Sequence, residues 1–162
     1  VFTLPDPITP EATARIMSLR EGSKKMSKSD PSEASRINLA DDVDTIAQKI
    51  RKAKTDPEPL PSEVAGLADR PEAANLVGIY AAMAGTSPAA VLAEHGGQGF
   101  GQFKPALGEL LAAKLGPITA RFRELKDDRT ALDTVLAKGA EKARVLAVPT
   151  LDATYKALGL VR

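Results

Sequence analysis

The sequence has 162 residues, with 22 Lys and Arg against 21 Asp and Glu, and no cysteine. That length accommodates one domain with a hydrophobic core, or a small domain with an appendage. A net charge of +1 excludes a globally basic nucleic-acid binder, so any such surface must be local, and the missing cysteines exclude a disulfide framework and a thiolate metal site. No apolar run approaches the roughly 20 residues a bilayer-spanning helix needs, and no secretory signal pattern opens the chain. The expectation is a soluble, cytoplasmic chain.

In chain order, the residues up to Pro10 are rich in Pro and Thr and read as irregular connection. Ala14–Leu19 is too short for periodicity to decide between a buried strand and a helical turn. The next stretch is chemically the densest: Gly22-Ser23-Lys24-Lys25-Met26-Ser27-Lys28-Ser29-Asp30-Pro31. Asp30 as an N-cap, Pro31 at a first helical position and Glu33 three residues after the cap predict a helix start. The lysines then sit on a loop leading into a helix N-terminus, where backbone N–H groups and the positive dipole end gather. Ammonium charges in that setting suit a polyphosphate chain; a solvated basic turn is the plainer alternative.

Asp41 or Asp42 caps a helix predicted to run to about Lys54, with Val43, Ile46, Ala47, Ile50 and Ala53 on one face. Its other face carries Lys49, Arg51, Lys52 and Lys54, a solvated face or a phosphate contact. Thr55–Pro71, with Pro57, Pro59, Pro61 and Pro71, reads as a long loop. Pro71 and Gly85 frame the next helix, with Leu76, Val77, Tyr80 and Met83 facing inward. A further helix starts at Thr86-Ser87-Pro88 and ends at Gly96-Gly97. His95 lies in its last turn and is not assigned a ligand role. The Gly96–Gly101 loop follows a helix rather than a strand and lacks the GxGxxG spacing, so it is expected to be a tight turn with φ > 0, anchored by Phe100 and Phe103. Phe103, Leu107, Leu110, Leu111, Ile118, Phe122 and Leu125 mark a long amphipathic helix bent at Pro117. Thr130–Ala137 reads as a short helix. Another starts at Gly139, with Ala140, Ala143, Leu146, Leu151 and Leu158 on a stripe and a kink at Pro149.

Lys25-Met26-Ser27-Lys28-Ser29 matches the second signature of the class I aminoacyl-tRNA synthetases. The surrounding residues resemble the tryptophanyl branch of that family: Ala14-Arg15-Ile16-Met17-Ser18-Leu19, Thr55-Asp56, Asn75-Leu76-Val77-Gly78-Ile79-Tyr80, Gly97-Gln98-Gly99-Phe100-Gly101-Gln102-Phe103-Lys104 and Gly139-Ala140-Glu141-Lys142-Ala143-Arg144, in the same order along nearly the whole chain. The resemblance implies a mainly α chain. Residues 1–56 are expected as the C-terminal edge of a Rossmann-type α/β catalytic domain, one short strand plus the KMSKS loop. Residues 57–70 follow as a linker, and 71–162 as a helical bundle of the anticodon-binding type. Such enzymes carry a HIGH-type motif and an amino-acid pocket upstream. His95 is the sole histidine and Val1 opens the chain, so the expectation is the C-terminal part of a longer enzyme.

By the same resemblance, the family activates an amino acid with ATP and Mg2+ and passes it to tRNA, here L-tryptophan and tRNA(Trp). Lys25 and Lys28 would be catalytic, gripping the departing pyrophosphate. Ile16, through its backbone near the adenine, would join Lys25, Met26, Ser27, Lys28 and Ser29 in ATP binding; Ile16 as ordinary core is equally compatible with its chemistry. Gly22 would let the loop close over ATP. Aromatic residues make up only 4%, which argues against a stacking platform. Anticodon contacts would therefore use basic side chains, with Arg121, Arg123, Lys142 and Arg144 as candidates. The whole enzyme is expected to be a homodimer. No metal ligands are assigned within the chain. The alternatives are a tyrosyl-type or other class I synthetase fragment and a non-catalytic helical tRNA-binding or interaction module.

Overall fold

A computed structural model of the protein describes residues 1–9 and 14–161. Residues 1–9 have no regular structure, while Pro10 and Arg162 lie outside the described residues. The described chain is mainly helical: α1 (Val43–Arg51), α2 (Pro71–Ala84), α3 (Pro88–His95), α4 (Phe100–Asp127) and α5 (Arg129–Leu158), with short 3-10 turns at Glu33–Ser35 and Val64–Leu67. It divides into two compact units, Thr9–Phe122 and Val1–Ile8 with Arg123–Arg162.

Local chemistry sets the helix ends. The Asp42 carboxylate accepts the Thr45 N–H at 2.8 Å and opens α1, while Ser87 Oγ accepts the Ala90 N–H at 3.2 Å ahead of Pro88. Each satisfies an amide that has no partner within its helix. Pro71 sits in the first turn of α2, where its missing N–H costs nothing. Gly85 ends α2 at φ +69°, a conformation that penalises any side chain.

In the Thr9–Phe122 unit, α2 is the central helix. Ala73, Leu76, Val77, Ile79 and Ala81 are all buried, covering more than one of its faces. Ile46 and Ile50 of α1, Val91 and Leu92 of α3, and Phe103, Leu107 and Leu111 of α4 complete the core with Leu19, Leu60 and Leu67. Phe103 is wholly buried and stacks on Tyr80 at 5.6 Å between ring centroids. Burial of one such side chain stabilises by roughly 1.5–3 kcal/mol. Phe100 is buried too, and Gly97 turns at φ +79°. The loop pairs with the proline-rich segment through Leu60 N–H to Gln98 O, 2.9 Å, and Gly97 N–H to Leu60 O, 2.8 Å.

The structure departs from the sequence reading in three places. Ala14–Leu19 builds no strand among the described residues. A single antiparallel bridge joins Met17 to Lys25, and no further strand lies alongside to extend it into a ladder. The helix expected after Asp30 is one 3-10 turn, Glu33–Ser35. Here the Asp30 carboxylate takes the Ser32 N–H at 2.7 Å, and Arg36 takes the carbonyls of Asp30 and Ser32. Side chains thus claim groups a helix would use, and no α-helix opens directly after the lysines. Third, residues 129–158 form one helix through Gly139 and Pro149, and none of its residues is buried. On the stripe expected to face a core, Leu146 is 78% exposed and Leu158 66%. The second unit places Phe2 beside a shallow apolar hollow on α5 lined by Leu146, Ala147 and Leu151.

Candidate functional site

The loop from Ile16 to Asp30 has a fastened base and an open tip. At the base, two limbs run antiparallel. Met26 N–H donates to Ile16 O at 2.9 Å and Ser18 N–H to Lys24 O at 2.8 Å, either side of the Met17–Lys25 bridge. Leu19 anchors the upstream limb: its side chain is buried, its N–H reaches Ser35 O at 2.9 Å, and its carbonyl accepts the Lys54 N–H at 2.8 Å. Ile16 and Met26 are half-buried and pack against the core. Because the Ile16 carbonyl is committed to Met26, its N–H is the backbone group left without a partner among the described residues. Beside Ile16 and Met17 lies a hollow of about 280 Å³, lined also by Asn75, Gly78 and Ile79 of α2.

Gly22 belongs to the base. It is buried, and a Cβ there would stand 2.6 Å from Pro71 C and Glu72 N. Its φ is not positive, so the glycine is needed for close approach to the start of α2 rather than as a hinge. The Glu72 carboxyl is held below its ordinary value mainly by a hydrogen bond from Lys54, 2.9 Å away, against an opposing effect of burial.

At the tip, Lys25, Ser27, Lys28 and Ser29 are all exposed. Ser27 Oγ lies 3.0 Å from Ser29 Oγ and accepts the Ser29 N–H at 3.3 Å, which turns the chain at Lys28. Lys24 pairs with Glu21 at 2.8 Å, and that hydrogen bond raises the lysine's pKa and lowers the glutamate's. Lys25 and Lys28 make no ion pair among the described residues. The two ammonium groups assigned to catalysis are thus the uncommitted ones, beside a methionine and two hydroxyls. An array of this kind can receive a polyanion without first breaking a salt bridge.

Downstream, Arg36 is buried and holds the loop's exit. Its Nη1 donates to Asp30 O at 2.8 Å, its Nε to Asn38 Oδ1 at 3.1 Å, and its Nη2 pairs with Glu33. Sequence reasoning assigned nothing to Arg36. It also missed Asn75, whose side-chain amide pairs with the Met17 backbone, and Arg70. The Arg70 guanidinium binds Asp56 with two hydrogen bonds, at 3.0 and 2.6 Å, and the carbonyls of Pro59 and Glu58. Asp56 lies in a segment the resemblance had singled out, and that was the available signal. Burial pushes the Asp56 carboxyl up, but hydrogen bonds from Arg70 and the Glu58 N–H outweigh it, so its pKa is lowered.

The helix expected to run to about Lys54 ends at Arg51, and two of the basic residues expected on its outer face are already engaged. Lys49 is buried against Asp41, and Lys54 pairs with Glu72. Arg121 and Arg123 are exposed on α4, and Lys142 and Arg144 on α5. Lys142 and Arg144 stand two apart and so do not share a helix face, and Arg144 lies 3.4 Å from Glu141. His95 is buried, with Nδ1 3.1 Å from Gln98 Oε1 and its ring edge-on to Tyr80 and Phe103. Among the described residues no group of three or more His, Cys, Asp or Glu could hold a metal ion.

Residues 1–115 match the model of the family described as tRNA synthetases class I (W and Y). The chain is 58% identical over 161 residues to a tryptophan–tRNA ligase of Mesorhizobium japonicum, covering 99% of this chain and 45% of the relative. A tryptophan–tRNA ligase of Thermosynechococcus vestitus is 47% identical, with 98% and 48% covered. The fold is similar to the crystal structure of tryptophanyl-tRNA synthetase from Mycoplasma pneumoniae, at a TM-score of 0.78 and 25% identity over 94% of this chain and 45% of that one. The chain spans about half the length of the curated relatives it matches.

Proposed function

Because the chain belongs to the class I tRNA synthetases of the W and Y family, we propose that it is the C-terminal part of a tryptophan–tRNA ligase. The names of the relatives favour tryptophan over tyrosine. In this reading residues 1–56 close the catalytic domain, with Ala14–Leu19 as an edge that pairs with a sheet contributed by the rest of the enzyme. Residues 57–70 form the connection, and 71–162 form the part that receives tRNA(Trp), with Arg121, Arg123, Lys142 and Arg144 as phosphate contacts. The whole enzyme works as a homodimer in the cytoplasm.

The reaction begins with attack of the tryptophan carboxylate on the α-phosphorus of ATP. The new oxygen–phosphorus bond forms as the bond to the β-phosphate oxygen breaks, and pyrophosphate leaves with its magnesium. Such a transfer asks the protein for position and charge. Lys25 and Lys28 supply charge where it accumulates on the leaving group. Ser27 and Ser29 donate hydrogen bonds to phosphate oxygens, Met26 lies against the purine, and the Ile16 N–H meets the adenine edge. The aminoacyl group then passes to the 3′ end of tRNA.

The observation that carries this reading is the pair of exposed, uncommitted lysines on a loop whose base is packed into the core. In the whole enzyme, Lys28→Ala is expected to lower the rate of ATP–pyrophosphate exchange by about two to three orders of magnitude, roughly 3–4 kcal/mol of transition-state stabilisation, with a smaller effect on the KM for ATP. An unchanged turnover with only a raised KM would mean that the lysine binds ground state and transition state alike.

A further inference from the structure

Asn75 lies on the second turn of α2, 58 residues from the loop, and is only 8% exposed. Its side chain makes a two-way hydrogen bond with one backbone unit: Met17 N–H donates to Asn75 Oδ1 at 2.9 Å, and Asn75 Nδ2 donates to Met17 O at 2.9 Å. An asparagine amide here does what a neighbouring strand would do, presenting one acceptor and one donor to a peptide edge. Met17 is also the residue bridged to Lys25. The path from the core helix to the catalytic lysine is therefore short: α2, Asn75, the Met17 backbone, and the Ile16–Met26 and Ser18–Lys24 hydrogen bonds that flank Lys25. One turn earlier, Gly22 is fitted against Pro71 and Glu72 of the same helix.

We propose that Asn75 is a positioning residue for the loop: by holding the Met17 peptide it sets where the Lys25 and Lys28 ammonium groups stand when pyrophosphate leaves. This rests on the loop having the role given above. The role is one of placement, because Asn75 is buried and its amide is spent on the Met17 backbone, whereas both lysines are exposed. A displacement of about 1 Å at reacting groups can cost about a hundredfold in rate, and the lysine side chains are long, so a tilt of their backbone is magnified at the tip.

The test uses Asn75→Ala and Asn75→Asp in the whole enzyme, with Lys28→Ala as control, and hydrogen exchange on the same proteins. Asn75→Ala is expected to reduce exchange turnover about ten- to a hundredfold while the KM for ATP stays within about twofold. The amides of Ser18 and Met26 should lose protection while those of Ile46 and Ile50 keep theirs. Asn75→Asp adds a readout that a merely structural role would not move. A protonated carboxyl can both accept from Met17 N–H and donate to Met17 O, whereas an ionised one repels that carbonyl, and burial raises its pKa. Its activity relative to the parent should therefore climb as pH falls from 8 to 6. Parental turnover in Asn75→Ala alongside a collapsed Lys28→Ala overturns the inference and leaves the loop's role standing; parental turnover in Lys28→Ala overturns both. If Asn75→Ala does not fold, the pH ratio of Asn75→Asp decides, and a flat ratio overturns the inference.

Discussion

The Thr9–Phe122 unit and the unit holding α5 are built from similar sequence. Both contain amphipathic helices with leucine and alanine at helical spacing, yet one closes a core and the other does not. In the first, α2 is covered on more than one face and Phe103 is wholly buried. In the second, α5 runs 30 residues without a buried one. Helical spacing tells which side of a helix is apolar; it does not tell whether anything covers that side. The lysine-bearing loop grows from the covered unit, where fixed neighbours can hold a backbone in place.

The contrast can be broken at its strongest point. Phe103→Ala should cost about 3–5 kcal/mol by leaving a cavity among Tyr80, His95 and the leucines, read as a large fall in the denaturant midpoint of that unit. If the loss is below about 1 kcal/mol, the core is not as tightly packed as its burial indicates.

An intermediate effect is expected at the polar clasp of the proline-rich segment. Arg70→Met removes two hydrogen bonds to Asp56 and two to backbone carbonyls, worth about 1.5–3 kcal/mol at neutral pH. The folded-state pKa of Asp56 is depressed, so this stability is present above its ordinary value of 3.8 and is lost as pH falls through the lower folded value. The gap between Arg70→Met and the parent should therefore narrow below about pH 4. A gap constant from pH 7 to 3 would assign the effect to packing alone.

The smallest effect belongs to α5. Leu146→Ala, at a position 78% exposed, should change stability by no more than about 0.5 kcal/mol. A loss above about 2 kcal/mol would mean that this face is covered in solution, and the contrast between the units would dissolve.

The parts that could be read from sequence were those decided by near neighbours. The cap at Asp41 or Asp42, of which Asp42 is used, the proline at the start of α2, the glycine at its end and the positive-φ turn at Gly97 all follow from short-range chemistry. The KMSKS loop was legible as a string of letters. Its fastening was not, because Asn75 and Met17 leave no local spacing to detect. Arg36 and Lys49 were hidden for a different reason: their partners, Asp30 O and Glu33 for one and Asp41 for the other, lie within eight residues, but in connecting segments with no regular period to read. The helix expected after Asp30 was lost to competition, since the same Asp that could cap a helix closed a local turn instead.

The amide clasp between Asn75 and Met17 also has a consequence for the order in which the molecule is made. The ribosome delivers residues in sequence at about 5–20 per second, so the Met17 peptide emerges roughly 3–12 s before the residue that will hold it, 58 positions later. Leu19 likewise waits for the Lys54 amide. The limb that bears the lysines thus cannot acquire its final geometry during its own synthesis. It is set only when α2 has formed and docked, which makes the loop a late product of folding and ties its readiness to completion of the core beneath it.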